Sequence, residues 1–392
     1  MTSPSAPAAP PAPVTGAWRE GDPVGGRRFV DVGDLTTETG GNLPDVRVAY
    51  ETWGRLSPAR DNAVLVLHAL TGDSHVVGPP GEGHPSPGWW EGLVGPGRPL
   101  DTDRWFVVAP NVLGGCQGTT GPASTAPDGR PWGSRFPFLT VRDQVAAEAR
   151  LADALGIDTW ALVLGGSMGA MRVLEWAVTE PDRVQRAVVL AAGAAATADQ
   201  IAWCSAQLAA IRSDPGFRGG DYYDAEPGQG PHTGLGIARR IAHTTYRSAL
   251  ELDTRFGRAA QPGEQPLGGG GRYAVESYLD HHADKLVHRF DANSYVVLTE
   301  AMSSHDVGRG RGGLAAALAR VTARTAVAAI DSDRLYPVRL SAEIVEHLPG
   351  RAELTVLQSP YGHDGFLLET AAVGALVRDL LATPVEVRVR AG

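Results

Sequence analysis

The sequence predicts an α/β protein: a mostly parallel sheet with helices on both faces, plus an all-helical lid insertion. Three observations carry this. Short, continuous apolar runs alternate with helical patterns, as strands covered on both faces require. One such run, residues 160–164, passes through Gly165-Gly166-Ser167-Met168-Gly169 into a helical stretch. Between residues 196 and 313 the strand signal vanishes while helical patterns continue, and beyond 313 the alternation returns.

Residues 1–15 are rich in Ala, Pro and Ser and lack the basic start and apolar core of a signal peptide, so a disordered tail is expected. Residues 16–195 form the first part of the core. VRVAYETW at 46–53 alternates like a half-exposed strand, and VLVL at 64–67 reads as a strand covered on both faces. The latter ends in His68-Ala69-Leu70-Thr71-Gly72. WFVVA at 105–109 is another apolar strand, followed by a Gly-rich loop at 114–122. Residues 140–155 read as a helix, with Thr140 as N-cap, Asp143 in capping-box position and Gly156 as its stop. Strand 160–164 and helix 171–179 flank the Gly-Ser-Gly turn, and 184–191 is the next strand. Residues 196–313 contain helical patterns at 200–211, 236–252, 274–287 and 292–303, separated by Gly-rich breaks. An all-helical insertion between two strands of such a sheet predicts a lid over the reactive edge. Residues 314–392 resume the core, with strands at 325–330 and 353–357 and helices at 341–348 and 364–381.

The bulk chemistry excludes several function classes. A net charge of −9 offers no basic footprint for nucleic acid. No apolar run reaches the roughly 18 residues of a membrane span. Two cysteines, Cys116 and Cys204, make no disulfide framework and fit a reducing cytoplasm; Cys116, in a Gly-rich loop, reads as structural. No metal motif is present: His281-His282 has no acidic ligand at metal-like spacing, and the loop at Gly114 lacks the ending of a phosphate-binding P-loop.

The chemistry concentrates at Ser167. Gly165, Ser167 and Gly169 spell G-x-S-x-G between a strand and a helix, the context of a nucleophile elbow. The Met168 N–H, free at the helix start, can face a developing oxyanion. A serine needs a base, and the base needs an orienting carboxylate. In this architecture both follow the serine in the chain and sit just past strand ends. His363, in a loop flexed by Gly362 and Gly365, meets that requirement, whereas His347 falls within a predicted helix. Asp331-Ser332-Asp333 offers two acids, of which Asp333 lies further past the sheet edge and is preferred, with Asp331 as alternative. Leu70 is the candidate second oxyanion donor, through its backbone.

These residues belong to longer stretches. His68-Ala-Leu-Thr-Gly72, the Gly-rich 111–122, Gly165-Gly-Ser-Met-Gly169 with Leu174-Glu-Trp-Ala177, Ala238-Arg-Arg240 with Thr245-Tyr-Arg-Ser248, Asp331-Ser-Asp-Arg-Leu-Tyr-Pro337 and Tyr361-Gly-His-Asp-Gly-Phe366 together resemble the homoserine O-acyltransferases. The resemblance is closest to the homoserine O-acetyltransferases, over about residues 36–381, and it implies the α/β-hydrolase fold. It implies Ser167 as nucleophile, Asp333 as acid and His363 as base. It also implies that Arg239 and Asp364 hold homoserine, with Tyr246 nearby and Thr71 at the substrate. A guanidinium fork suits the amino acid's carboxylate, and Asp364 its ammonium. Ala170 departs from the family's usual third glycine. The implied reaction is acetyl transfer from acetyl-CoA to L-homoserine in methionine biosynthesis, with no resident cofactor and a homodimer formed through the lid helices. A succinyl donor, a serine acceptor, and a serine esterase of the same fold are the alternatives.

Overall fold

The computed structural model describes residues 11–350 and 352–384. Eight strands form one sheet: β1 Arg28–Thr36, β2 Asn42–Trp53, β3 Ala63–Leu67, β4 Phe106–Pro110, β5 Leu162–Gly166, β6 Arg186–Leu190, β7 Arg324–Ile330 and β8 Leu354–Leu357. Their spatial order is β1-β2-β4-β3-β5-β6-β7-β8. β2 is antiparallel to both β1 and β4, and from β4 to β8 the sheet is parallel. The helices are α1 Val141–Ala154, α2 Met168–Thr179, α3 Ala198–Arg212, α4 His232–Tyr246, α5 Ala249–Phe256, α6 Ala274–Val287, α7 Ala292–Ser303, α8 Leu314–Leu318, α9 Val338–His347, α10 Gly365–Leu368 and α11 Thr370–Ala382.

The continuous apolar strands explain the layering. Alternate residues of a strand point to opposite faces, so an all-apolar strand feeds two cores. Leu65, Leu67 and Val163 join Val145 and Leu151 of α1, Val173 and Trp176 of α2, and Ile344 of α9. Val64, Val66, Leu162 and Leu164 join Trp90 and Val373 and Val377 of α11 on the opposite face. Between β6 and β7 the chain runs through α3 to α8. Leu208, Leu235, Leu286 and Tyr295 from α3, α4, α6 and α7 form a third cluster, which takes in Leu70, Met168 and Met171 from the reactive edge. The insertion therefore sits directly over the Gly-Ser-Gly turn.

Thr140 caps α1 in a full capping box with Asp143. β1 escapes the sequence reading because it is an edge strand whose apolar pattern is interrupted by Asp31 and Asp34 and bulged at Gly33. The expected helix 236–252 is two helices: Arg247 is extended (φ −99, ψ 146), and Ser248 caps α5 by accepting from the Glu251 N–H at 3.0 Å. The break admits the His363 loop, since a Cβ on Gly362 would lie 2.6 Å from the Ser248 nitrogen. The expected helix 364–381 likewise divides into a short turn at Gly362–Asp364, then α10 and α11. Residues 1–10 and 385–392 of the expected tail and second core part lie outside the described residues. Residues 11–15 run along the lid: Ala12 O accepts from Gly228 N at 2.8 Å, and Thr15 Oγ1 donates to Asp291 at 2.8 Å.

Candidate active site

β5 delivers Ser167 to the sheet edge and α2 leaves at once, so the turn between them is severe. Ser167 has φ 57 and ψ −126, a conformation that side chains adopt only under strain. Glycine flanks it for steric reasons: a Cβ on Gly169 would lie 2.1 Å from the Leu67 carbonyl oxygen. Ala170, by contrast, is buried in the core without difficulty.

Ser167, Asp333 and His363 are brought together, each buried. His363 Nε2 lies 2.8 Å from Ser167 Oγ, and Nδ1 lies 2.7 Å from Asp333 Oδ2. With Nδ1–H donating to the carboxylate, Nε2 is free to accept the serine proton. Asp333 Oδ1 in turn accepts from the Leu335 and Tyr336 N–H groups, both at 2.8 Å. Asp331 points elsewhere; it is exposed and accepts from Ser359 N at 2.9 Å. Burial pulls the His363 pKa down, but the Asp333 carboxylate outweighs it and holds the imidazole above its ordinary value. Tyr336 stacks on the ring at 5.1 Å, and Phe366 meets its edge at 5.5 Å.

The loop after β3 carries Leu70 and Thr71 to the same place. Arg172 donates to the His68 carbonyl and is paired with Glu148 at 2.6 Å, and Trp176 Nε1 completes Glu148 at 2.8 Å. His68 Nε2 accepts from Val112 N at 3.1 Å; burial lowers its pKa to about 3, so it stays neutral as that acceptor requires. Arg172 and Glu148 are both buried; the sequence reading singled out neither, though Arg172 stands as a charge within a largely apolar α2, and nothing local marks Glu148 on α1.

A pocket of about 180 Å³ opens over the serine, lined by Leu70, Thr71, Ser167, Arg239, Tyr246, His363 and Asp364. Met168 does not line it; its side chain packs into the lid cluster. Arg239 and Tyr246, seven apart on α4, both face the pocket, with the guanidinium 5.7 Å from the ring. Arg239 donates to Thr71 Oγ1 at 3.3 Å, and its buried Nε has no partner among the described residues. Asp364 is paired with Arg247 at 3.1 Å, a partner not singled out in the sequence. Burial raises the Asp364 pKa, against the opposing pull of Arg247. Cys204, Gln200 and Gln207 of α3 also line the pocket, and nothing in their local sequence marked them. A larger cavity, about 630 Å³, lies between the starts of β7 and β8 and α11; the described residues that line it include no serine, cysteine or histidine.

The structure also gathers Glu51, His75 and His84, which no sequence spacing suggested. The imidazole planes stack at 4.0 Å and 11°, and the ligand atoms are engaged in hydrogen bonds within the protein. His84 Nε2 is already taken by the Gly26 N–H at 3.0 Å, and His75 Nδ1 by Glu51 at 3.1 Å. The group reads as a hydrogen-bonded clasp between β2 and the loop that follows β3.

Sheet order, nucleophile turn and lid define a protein of the α/β-hydrolase class, and a family model described as alpha/beta hydrolase fold matches residues 62–370. A homoserine O-acetyltransferase of Thermobifida fusca is 67% identical over 374 residues, covering 95% of this chain and 98% of that one. Another from Mycobacterium tuberculosis is 59% identical, covering 90% and 92%. Among solved structures, a homoserine O-acetyltransferase from Bacillus anthracis superposes with a TM-score of 0.84 at 26% identity, covering 92% of this chain and 98% of that one. Esterase E22 superposes with a TM-score of 0.82 at 28% identity, covering 91% and 99%. The chain belongs to the homoserine O-acetyltransferase family.

Proposed function

We propose that this enzyme moves an acetyl group from acetyl-CoA to the hydroxyl of L-homoserine through an acyl-serine intermediate, in methionine biosynthesis. His363 takes the Ser167 proton as the hydroxyl attacks the thioester carbonyl. The Leu70 and Met168 N–H groups stabilise the oxyanion, and the coenzyme A thiol leaves with the proton from His363. Homoserine then enters, its hydroxyl gives its proton to His363 as its oxygen attacks the acyl-serine, and the acetyl–Ser167 bond breaks with Ser167 Oγ taking that proton back, leaving the acetyl ester on homoserine. Arg239 holds the carboxylate, with Thr71 and Tyr246 beside it, and Asp364 receives the ammonium. The single observation that carries this reading is the serine–histidine–aspartate chain at the foot of a pocket that also presents an unpaired guanidinium and a carboxylate. The lid favours transfer over hydrolysis because it restricts water at the acyl-serine. The same reading takes in a homodimer through the lid helices, supported by the exposed apolar Ile201 and Ile237 on α3 and α4. Action in the cytoplasm is supported by two free cysteines.

A hydrolytic reading shares the triad, and the close superposition of an esterase keeps it in view. Thiol release from acetyl-CoA, followed with and without homoserine, separates the two. A transferase releases thiol in step with acetylhomoserine; release indifferent to homoserine overturns the proposal. Acetyl-CoA against succinyl-CoA in the same assay decides the donor.

A further inference from the structure

The Leu70 N–H, assigned above to the oxyanion, has no acceptor among the described residues. No helix stiffens the chain there. It turns back at Gly72, whose N–H donates to the Ala69 carbonyl at 2.9 Å. The direction of the Leu70 N–H therefore depends on what holds the loop on either side. On one side His68 is held by Arg172 and by the Val112 N–H, and within the loop Arg289 donates to the Thr71 carbonyl at 2.8 Å.

On the other side stands Ser74, fully buried, with every polar group paired. Its N–H donates to Asn111 Oδ1 at 3.0 Å, and its carbonyl accepts from Val76 N at 2.9 Å. Its Oγ accepts from Asn111 Nδ2 at 3.2 Å and donates to Glu51 Oε1 at 2.8 Å. Asn111 and Val112 directly follow β4, so adjacent residues take the two sides of the loop. Glu51 lies on β2, opposite Ala109 of β4. Both Glu51 and Asn111 are buried. A buried carboxylate needs donors. Burial pushes the Glu51 pKa up, but the hydrogen bonds from His75 and Ser74 outweigh it and hold the group below its ordinary value.

We propose that Ser74, fixed between Glu51 and Asn111, is a positioning residue that sets the direction of the Leu70 N–H, and that Glu51 acts through it. The proposal rests on the oxyanion reading above. A donor helps only when aimed where charge develops, so a small displacement is expensive in rate.

The probe is trifluoroacetone, a methyl ketone open to reversible addition. Ser167 Oγ bonds to the carbonyl carbon, its proton passes to His363, and the carbonyl electron pair makes an oxyanion facing the two N–H groups. Fluorine NMR titration reads the affinity. Ser74→Ala is expected to weaken the adduct by about tenfold and to change KM for homoserine by less than about twofold. Glu51→Gln keeps an acceptor for Ser74, and the His75 ring can move its proton to Nε2, 3.3 Å from the Pro79 carbonyl. That variant is expected to stay within about threefold of wild type, whereas Glu51→Ala follows Ser74→Ala and the double variant loses nothing further. Unchanged adduct affinity in Ser74→Ala, or a rise in homoserine KM that matches the loss, overturns the proposal. Fully additive losses in the double variant overturn the claim that Glu51 acts through Ser74. The function reading fails separately: thiol release from acetyl-CoA that ignores homoserine contradicts the transferase but leaves this result standing, since the ketone needs neither coenzyme nor acceptor.

Discussion

His363 shows how one carboxylate decides a residue's chemistry. Buried alone, the imidazole would hold its proton weakly and make a poor base; Asp333 reverses this and also selects the tautomer. A base must be unprotonated to act, so activity falls as pH drops through the His363 pKa. The acid limb of kcat/KM is therefore expected above the ordinary 6.5. Asp333→Asn removes the raising influence and leaves burial, so the limb should move to lower pH while kcat drops by about 10⁴-fold. A pH–rate profile of both proteins checks this; a limb that stays in place contradicts the assignment of Asp333. Arg239 makes a different prediction. Replacing its flat fork by a point charge, Arg239→Lys, should lower kcat/KM for homoserine by about 10- to 100-fold, with a smaller effect on acetyl-CoA. Steady-state kinetics with each substrate varied in turn separate the two effects.

At the scale of elements, the reactive geometry depends on supports that touch no substrate. Glu148 on α1 and Arg172 on α2 form a buried pair that holds the His68 carbonyl, hence the loop bearing Leu70. Glu148→Ala strands a buried guanidinium and should cost about 3–5 kcal/mol of stability, read from the denaturant midpoint. A loss below about 1 kcal/mol would mean that the pair is solvated or replaceable. Gly169→Ala forces a methyl onto the Leu67 carbonyl, so α2 must move away from β3; a loss of about 1–3 kcal/mol and weakened acylation are expected. This scale also shows what the sequence could reveal. Strands covered on both faces, such as β3, β5 and β6, were legible because they are continuous apolar runs, Arg186 at the start of β6 apart. β1 was not, because Asp31, Asp34 and the bulge at Gly33 break up its apolar pattern. The break at Arg247 was invisible because the stretch 236–252 is helix-compatible throughout, and what splits it is the tertiary approach of the Gly362 loop.

Across the whole molecule, an alternating sheet brings three distant segments to one edge and a helical insertion covers them. Ser167 and His363 were legible from the sequence because each follows a recognisable strand in the order this architecture requires, whereas the acid could be placed only to the loop that offers both Asp331 and Asp333. Arg247 against Asp364, Arg289 against Thr71, and Cys204 in the pocket wall were not, because they are set by how lid helices pack on the core, which no local pattern encodes. On the proposed reading, the lid supplies the side chains that meet an amino acid acceptor. All of this assumes that the acyl group rests on Ser167 between the two substrates. The most direct test is mass spectrometry of the intact protein, and of its Ser167 peptide, after brief exposure to acetyl-CoA alone. The account predicts one acetyl group, as an ester on Ser167, that L-homoserine discharges far faster than buffer does. Acetylhomoserine formed by a protein in which Ser167 never carries the acetyl group would contradict it.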